Sequence, residues 1–329
     1  MSTAELESLI EAGLSAGATA ESISLMRDRY RGVILGVAAG NALGLLTEGR
    51  SSQWIRAHLP DGVRDVPQEL CDQPWDDDLA QTVMLAEALV AGNRLDVDDI
   101  AARLLKWAQA GGHGIGFLTL GVVRELASGT RPKDAARLVW ERSGRTAAGN
   151  GAVMRCSPVA LRWRQSARRM IEETKESAAV THYDPRCIWS AVALNAVLVQ
   201  SLGGVTTDLG RLAALMESAG APREVGAAVR FAQRCGLEDL ELDDPDGMGY
   251  TLKAMQVGLW CLNQPEDFEA ALIRVVSMGG DTDTNGAVAG AVMGGRTGLG
   301  GIPQRWIANI HQSSRLLDLA DRLLDQSER

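Results

Sequence analysis

The fold is decided by GVILGVAAGNALG, residues 32–44, in which a glycine recurs at every fourth position. Residues four apart lie on one face of an α-helix, so these glycines form a ridge without side chains. The same spacing returns at Gly286, Gly290 and Gly294. Glycine inside a helix costs about 0.5–1 kcal/mol relative to alanine, so its repetition indicates close backbone approach. The two stretches predict two helices that cross tightly.

A transmembrane packing face is the alternative explanation of this spacing. The apolar runs around both stretches are too short to cross a bilayer, which requires about 20 residues. Arg31, Asn41 and Glu48 also bracket or interrupt the first run. The pattern therefore favours the core of a soluble protein, in which the second glycine stretch approaches the first helix.

Helical periodicity dominates the rest of the chain. Alanine, leucine, arginine and glutamate fill most segments, and glycine, proline and aspartate separate them. No run of alternating β-branched residues stands out, so the sequence predicts an all-α protein with many helices. The predicted helices span residues 3–14, 25–45, 79–91, 97–110, 115–127, 133–141, 152–162, 166–179, 185–201, 207–218, 223–235, 249–262, 267–277, 283–293 and 304–325.

The composition is typical of a globular protein and narrows the classes of partner. Of the 329 residues, 46% are hydrophobic and 23% are charged, and the net charge is −9. Nucleic acid and anionic membrane surfaces both attract basic proteins. We therefore expect neither as a partner, although a local pocket can still bind an anion.

The cysteines and the N-terminal segment indicate a reducing compartment. Five cysteines are widely spaced and none forms a CxxC motif, which argues against a disulfide framework or a thiolate zinc site. Residues 1–24 carry glutamates where a signal peptide has a basic start and an apolar run. We expect a cytoplasmic protein.

Two acidic clusters carry the chemistry that we predict. The first is WDDD, residues 75–78, and the second is GGDTDT, residues 279–284, each before an Ala-rich stretch typical of a helix. A single aspartate there is explained as an N-cap, but several adjacent like charges exceed what a cap uses. Oxygen ligands suit hard ions such as Mg²⁺ or Mn²⁺. The residues leave both explanations open, helix caps or a shared metal site.

Two further motifs are less specific. In GNGAVMR, residues 149–155, small residues precede an apolar helix, and N–H groups at a helix start can bind phosphate. The Asn-Gly pair is also an ordinary turn signal. In THYDP, residues 181–185, a lone histidine precedes a proline-started helix, and such a histidine is more often structural than catalytic.

Together these motifs resemble the ADP-ribosylglycohydrolase family in content and order. The resemblance runs from about Arg31 to about Leu324, and GGDTDTNG, residues 279–286, is its most specific part. It implies the family's single compact multi-helix orthogonal bundle over residues 25–329, with residues 1–24 as an N-terminal helical extension. It also implies the family's reaction, hydrolysis of the glycosidic bond at C1″ of ADP-ribose attached to a protein side chain or a small molecule.

The resemblance implies a binuclear metal site with two divalent cations, Mg²⁺ or Mn²⁺. Asp78 and Asp281 are expected to bridge or orient the ions. Glu48 falls on a family glutamate near the substrate ribose, with a proposed role in catalysis or gating. The expected metal ligands are Asp76, Asp77, Asp78, Asp281, Asp283 and Thr284, and the expected catalytic residues are Glu48, Asp78 and Asp281.

The resemblance also implies where ADP-ribose binds. Gly149, Asn150 and Gly151 fall on the loop that cradles the diphosphate, and His182 falls on a histidine beside the bound ligand. Substrate specificity is expected in loops that rim the cleft, and the candidate loops are Arg50–Cys71 and Leu237–Gly249.

The chain departs from the family pattern at four positions. Asp76 and Leu79 stand where the family usually has threonines, and Asn41 stands where it has an aspartate. Ala148 replaces a serine that often precedes Gly-Asn-Gly. We expect tighter or altered metal binding and a divergent substrate. The alternatives are a catalytically silent ADP-ribose-binding module and a structural protein on the same scaffold.

Overall fold

A computed structural model of the chain describes residues 2–12, 20–263 and 266–328. These ranges contain 17 α-helices, five short 3₁₀-helices and no strand beyond two isolated bridges, which confirms the all-α prediction. The α-helices are α1 (Ser2–Glu11), α2 (Ala20–Gly44), α3 (Ser52–His58), α4 (Asp77–Ala91), α5 (Val97–Gln109), α6 (Phe117–Ala127), α7 (Pro132–Arg142), α8 (Ser157–Arg162), α9 (Ala167–Ala179), α10 (Pro185–Leu202), α11 (Leu209–Ser218), α12 (Arg223–Ala232), α13 (Thr251–Trp260), α14 (Phe268–Val276), α15 (Thr282–Thr297), α16 (Gln304–Ile307) and α17 (Ser313–Ser327).

The two glycine stretches form the central helix pair, as predicted. α2 and α15 run antiparallel, and a Cβ added to Gly36 would lie only 2.1 Å from the carbonyl oxygen of Gly290. Cβ atoms do not approach other atoms so closely, so only glycine fits at this contact. At the end of the pair, Thr282 Oγ1 donates a hydrogen bond to the Gly44 carbonyl at 2.7 Å. The second acidic cluster therefore begins beside the C-terminal end of α2.

One continuous hydrophobic core unites nearly all the helices. α10 is buried on all sides from Trp189 to Leu202, and α1 adds the buried Leu6 and Ile10 to the same core. α2 begins at Ala20, so a continuous helix crosses the predicted boundary at residue 24. The division into a helical extension and a single domain stays a prediction.

Three helix predictions need correction. The predicted helix 152–162 begins only at Ser157, because Pro158 lacks an N–H and fits only the first turn. The predicted helix 304–325 is divided into α16 and α17, where Gln312 adopts a left-handed φ of 53° that helices do not contain. α3 was not predicted, because its seven residues are too short to show periodicity.

Two boundaries of the description bear on the predictions. Residues 13 and 14 of the predicted helix 3–14, and residues 13–19 of the predicted extension, lie outside the described residues. Within the described part of the chain, no helix is both long enough and apolar enough to span a membrane.

Candidate functional site

Both acidic clusters lie at helix N-termini, yet helix capping does not account for them. Asp76 is the N-cap residue of α4 and Asp281 that of α15, but neither carboxylate makes a capping hydrogen bond. Other short polar side chains in this protein do accept such bonds. They are Ser51, Asp96, Ser166, Asp184, Asp208 and Asp267. The carboxylates of Asp76 and Asp281 are instead directed to other groups around one cleft.

Three carboxylates from the two clusters converge. One oxygen of each of Asp76, Asp78 and Asp283 lies within 4.8 Å of the others. Thr284 Oγ1 donates to Asp78 Oδ2 at 3.3 Å. Asp78 Oδ1 and Asp283 Oδ1 are buried and have no hydrogen-bond partner among the described residues. Buried acceptors without partners are costly unless a cation binds them, so this donor set fits divalent cations.

The electrostatics of the cluster favour a bound cation as well. Burial, followed by repulsion from Asp76 and Asp281, raises the pKa of Asp77 to about 8. Burial and neighbouring aspartates also raise the pKa of Asp78 and Asp283 well above the ordinary value. Divalent cations favour the ionised carboxylates and would therefore relieve this repulsion.

The other two predicted ligands are held by amide side chains. Gln81 Nε2 donates to Asp77 Oδ2 at 3.2 Å, and Asn150 Nδ2 donates to Asp281 Oδ2 at 2.7 Å. The second bond joins the acidic cluster directly to the predicted diphosphate loop. All the sequence-predicted metal ligands are thus brought to one side of the cleft.

The turn that carries Glu48 is fixed to the second acidic cluster. Gly49 N donates to the Gly280 carbonyl and Gly280 N donates to the Arg50 carbonyl, each at 2.8 Å. Glu48 lines the cleft together with Asp77 and Asp281. Desolvation of its carboxyl group, followed by the charges of Asp76 and Asp281, raises the pKa of Glu48. A carboxyl group with raised proton affinity therefore lies beside the aspartates.

A cleft of about 440 Å³ runs from the acidic clusters to the Gly149–Gly151 loop and His182. Asn150 N donates to the Gly249 carbonyl at 3.0 Å, and Gly149 pairs with Tyr250 in an isolated bridge. His182 is 4% exposed and lies directly against the loop. Burial, then the charge of Arg155, lowers the pKa of His182 to about 3, so this side chain is neutral.

The sequence analysis missed the loop between α5 and α6, AGGHGIG, residues 110–116. His113 Nδ1 lies 3.1 Å from Asp76 Oδ1. Gly114 has a φ of 76°, and a Cβ there would lie 2.0 Å from the same oxygen. The loop backbone therefore packs on the first acidic cluster. The signal was present in the sequence, since four glycines surround a single histidine.

Two departures from the family pattern lie in contact with each other. Asn41 Nδ2 lies 3.5 Å from Asp76 Oδ2, and both side chains are buried. The resemblance implies an aspartate at the first position and a threonine at the second, where this chain has an amide and a carboxylate. Compared with that pattern, the pair carries the same total charge, with the carboxylate on the neighbouring side chain.

The rim of the cleft is formed by only one of the two predicted specificity loops. Met248 and Gly249, from Leu237–Gly249, line the cleft. Among the described residues that line it, none comes from Arg50–Cys71. Phe117, which the sequence analysis did not single out, also lines the cleft and is 94% exposed.

Comparison with known proteins agrees with this architecture. A family model described as ADP-ribosylglycohydrolase matches residues 22–329, and the chain belongs to this family. A solved structure titled ADP-ribosylglycohydrolase-related protein complex superposes with a TM-score of 0.73 and 28% identity, over 92% of this chain and 99% of that one. The resemblance inferred from the motifs is confirmed.

Two named relatives are similar over most of their length. ADP-ribosylarginine hydrolase Tri1 of Serratia proteamaculans is 25% identical, over 92% of this chain and 80% of that protein. ADP-ribosyl-[dinitrogen reductase] glycohydrolase of Rhodospirillum rubrum is 27% identical, over 87% of this chain and 91% of that protein.

Proposed function

We propose that this chain is a hydrolase that cleaves the C1″ glycosidic bond of ADP-ribose attached to a protein side chain or a small molecule, with two bound Mg²⁺ or Mn²⁺ ions. The observation that carries the proposal is the convergence of Asp76, Asp78 and Asp283 at one end of a cleft, where Asp78 and Asp283 bury oxygens without a partner among the described residues. The Gly149–Gly151 loop forms the other end. Both relatives named above, which act on ADP-ribosylated arginine or an ADP-ribosylated protein, support this substrate class.

The acidic clusters supply the metal ligands in this proposal. The ligands would be Asp76, Asp77, Asp78, Asp281, Asp283 and Thr284. When bound, divalent cations would supply positive charge that orients sugar hydroxyls and lowers the pKa of a water molecule towards neutral pH. The chain's own contribution is to hold the carboxylates together against their repulsion, which the packing of α4 against α15 achieves.

The other end of the cleft binds and orients the ligand. The Asn150 N–H already donates to the Gly249 carbonyl, so the backbone N–H groups of Gly149 and Gly151 are the ones suited to the diphosphate of ADP-ribose. Asn150 donates a hydrogen bond to Asp281, so the proposed diphosphate loop is held at a fixed position relative to the acidic clusters. Binding energy from the diphosphate can then be used to orient C1″ for reaction.

Glu48 is proposed as the residue that moves a proton. Loss of the leaving group from C1″ generates an oxocarbenium-like centre, which a water molecule attacks. The raised pKa of Glu48 suits a carboxylate that takes the proton of the attacking water and relays it through solvent to the leaving group, which takes up a proton when its bond to C1″ breaks. Its backbone connection to Gly280 keeps it beside the second acidic cluster.

Release of ADP-ribose from a mono-ADP-ribosylated protein tests this function. We expect release with Mg²⁺ or Mn²⁺, none with EDTA, and none from Asp281→Ala in either condition. Asp318→Ala, at a side chain that is 70% exposed on α17, is the matched control and should keep wild-type turnover. ADP-ribose binding without release would instead identify a catalytically silent binding module. Arginine-linked and serine-linked substrates compared in parallel would identify the acceptor.

A further inference from the structure

Arg155 is a buried cation between the two ends of the cleft, and the proposed mechanism does not use it. Its side chain is 3% exposed. Nη1 donates to Gln81 Oε1 at 2.5 Å, and Nη2 donates to Thr181 Oγ1 at 2.7 Å and to the Ser177 carbonyl at 3.3 Å. These acceptors are an amide, a hydroxyl and a backbone carbonyl, all of them uncharged. A buried charge held by neutral groups is expensive, so its position calls for an explanation.

The bonds of Arg155 continue on both sides to the proposed site. Gln81 Nε2 donates to Asp77 Oδ2 at 3.2 Å, and Thr181 Oγ1 lies 2.8 Å from His182 Nδ1. One uninterrupted chain of hydrogen bonds therefore joins the first acidic cluster to the histidine beside the Gly149–Gly151 loop.

The direction of each bond in this chain follows from the chemistry of arginine. A guanidinium only donates, so the Thr181 oxygen must accept from Arg155. The Thr181 hydroxyl proton has no other acceptor among the described residues, so it donates to His182 Nδ1, which then acts as an acceptor. A neutral imidazole with an acceptor at Nδ1 carries its proton at Nε2.

The proton at Nε2 faces the predicted diphosphate loop. A Cβ on Gly151 would lie 2.9 Å from His182 Nε2, and one on Gly149 would lie 3.3 Å from it. The neutral state of this ring is consistent with its burial and with the nearby charge of Arg155, which together lower the pKa of His182 to about 3. His182 thus presents an N–H donor to the loop over the whole physiological pH range.

The same argument applies on the other side of Arg155. Gln81 must turn its carbonyl oxygen towards the guanidinium, so its NH₂ group points to Asp77. The arginine thereby determines which way the Gln81 amide is flipped. A reversed amide would direct an oxygen at the carboxylate and repel it.

We propose that Arg155 is a positioning residue that fixes the donor direction of two hydrogen-bond chains, so that His182 is held as the Nε2–H tautomer for an anionic ligand on the Gly149–Gly151 loop and Gln81 is held as a donor to Asp77. The identity of that ligand as the diphosphate of ADP-ribose rests on the proposed function. The tautomer and the amide orientation do not.

The tautomer is measured directly by ¹⁵N NMR on histidine-labelled protein, with the His182 signals assigned by comparison with His182→Gln. We expect a protonated Nε2 and an unprotonated Nδ1 in the wild type between about pH 6 and pH 8. Thr181→Ser keeps the hydroxyl and should keep this pattern. Thr181→Val is nearly isosteric but lacks the hydroxyl, and it should give a mixture of tautomers. A protonated Nδ1 in the wild type, or an unchanged tautomer in Thr181→Val, would overturn the proposal.

Affinity measurements separate the two hydrogen-bond chains. Thr181→Val should weaken ADP-ribose binding about tenfold, the loss expected for one hydrogen bond to a charged group, while Thr181→Ser stays near wild type. Mn²⁺ affinity should be unchanged in Thr181→Val and reduced in Gln81→Met, in which the His182 tautomer should remain that of the wild type. Equal effects of Val and Ser at residue 181 on ADP-ribose affinity would exclude the positioning role. A wild-type protein that does not bind ADP-ribose would overturn the proposed function and the assigned ligand, while the NMR result would still decide the tautomer.

Discussion

The middle and the acidic end of the α2–α15 pair differ in whether their buried atoms are satisfied by the protein itself. In the middle, a Cβ on Gly290 would lie 1.9 Å from the Gly36 carbonyl oxygen, so the contact is complete and accepts no added atom. At the end, Asp78 and Asp283 bury oxygens that no described residue satisfies. The first region stabilises the fold without any ligand, whereas burial of the carboxylates in the second region costs free energy until a cation binds. The comparison shows why a rigid glycine contact lies next to a cluster of like charges: tight packing is needed to keep the charges together.

The largest effect is expected from Gly290→Ala, because the added methyl meets backbone atoms that no side-chain rotation can move. We expect a loss of about 3 kcal/mol or more in the free energy of unfolding, or failure to fold. Urea denaturation measures the change. Gly300→Ala is the matched control, since a Cβ there meets no atom within 4 Å, and it should be nearly neutral. Equal stability of the two variants would show that the close glycine contact between α2 and α15 is not needed for a stable fold.

Asp78→Asn tests the opposite end with a substitution of the same shape. Hydrolysis should fall by about 10³-fold or more, because a proposed metal ligand would lose its charge. The midpoint of thermal unfolding in EDTA should stay the same or rise, because one buried charge is removed from a repelling cluster. A variant with metal-dependent wild-type turnover would contradict the proposed binuclear site, and a strongly destabilised one would contradict the distinction drawn between the two regions.

The fold was largely predictable because its central contact is encoded locally. The glycines at 32–44 and 286–294 show a four-residue period that indicates a bare helix face without knowledge of the partner. The break between α16 and α17 was not predictable in this way. Gln312 is not a residue that favours a left-handed φ, so tertiary contacts of the chain around it determine the break.

The acidic motifs of the site could also be predicted from the sequence, but their supporting contacts could not. Asp76 and Asp281 occur in short, specific motifs, whereas the 3.1 Å contact of His113 with Asp76 depends on how a glycine loop folds back over α4. The Arg155 chain joins residues from three separate segments, and each member alone resembles an ordinary polar residue. Such contacts depend on the tertiary fold, so no local pattern predicts them.

Glu48→Gln sharpens the distinction between binding and chemistry at the acidic end. The amide keeps the size of the side chain but cannot accept a proton, so turnover should fall by about 10²–10⁴-fold. ADP-ribose affinity should change little, since the loop at Gly149–Gly151 and His182 are untouched. Turnover and calorimetric affinity measured on the same preparation test this difference. An unchanged turnover would exclude Glu48 from the proton transfer.

The smallest effect is a pH-dependent shift in thermal stability. The pKa of Asp77 is raised to about 8 in the folded protein from an ordinary value of 3.8, so the metal-free folded state binds more protons than the unfolded state within this window. The contribution of Asp77 to stability is therefore complete below about pH 4 and declines as the pH rises towards 8.

Cation binding needs the ionised carboxylates, so Mg²⁺ or Mn²⁺ at a hundredfold excess over Kd should add about 2.7 kcal/mol to the free energy of unfolding at pH 8 and much less at pH 5. The gain should shrink in Asp78→Asn, while the Gly300→Ala control should respond to metal as the wild type does. An equal gain in stability at both pH values would mean that the cation does not bind these carboxylates. The acidic end would then need no cation for stability, and its contrast with the glycine contact would be lost.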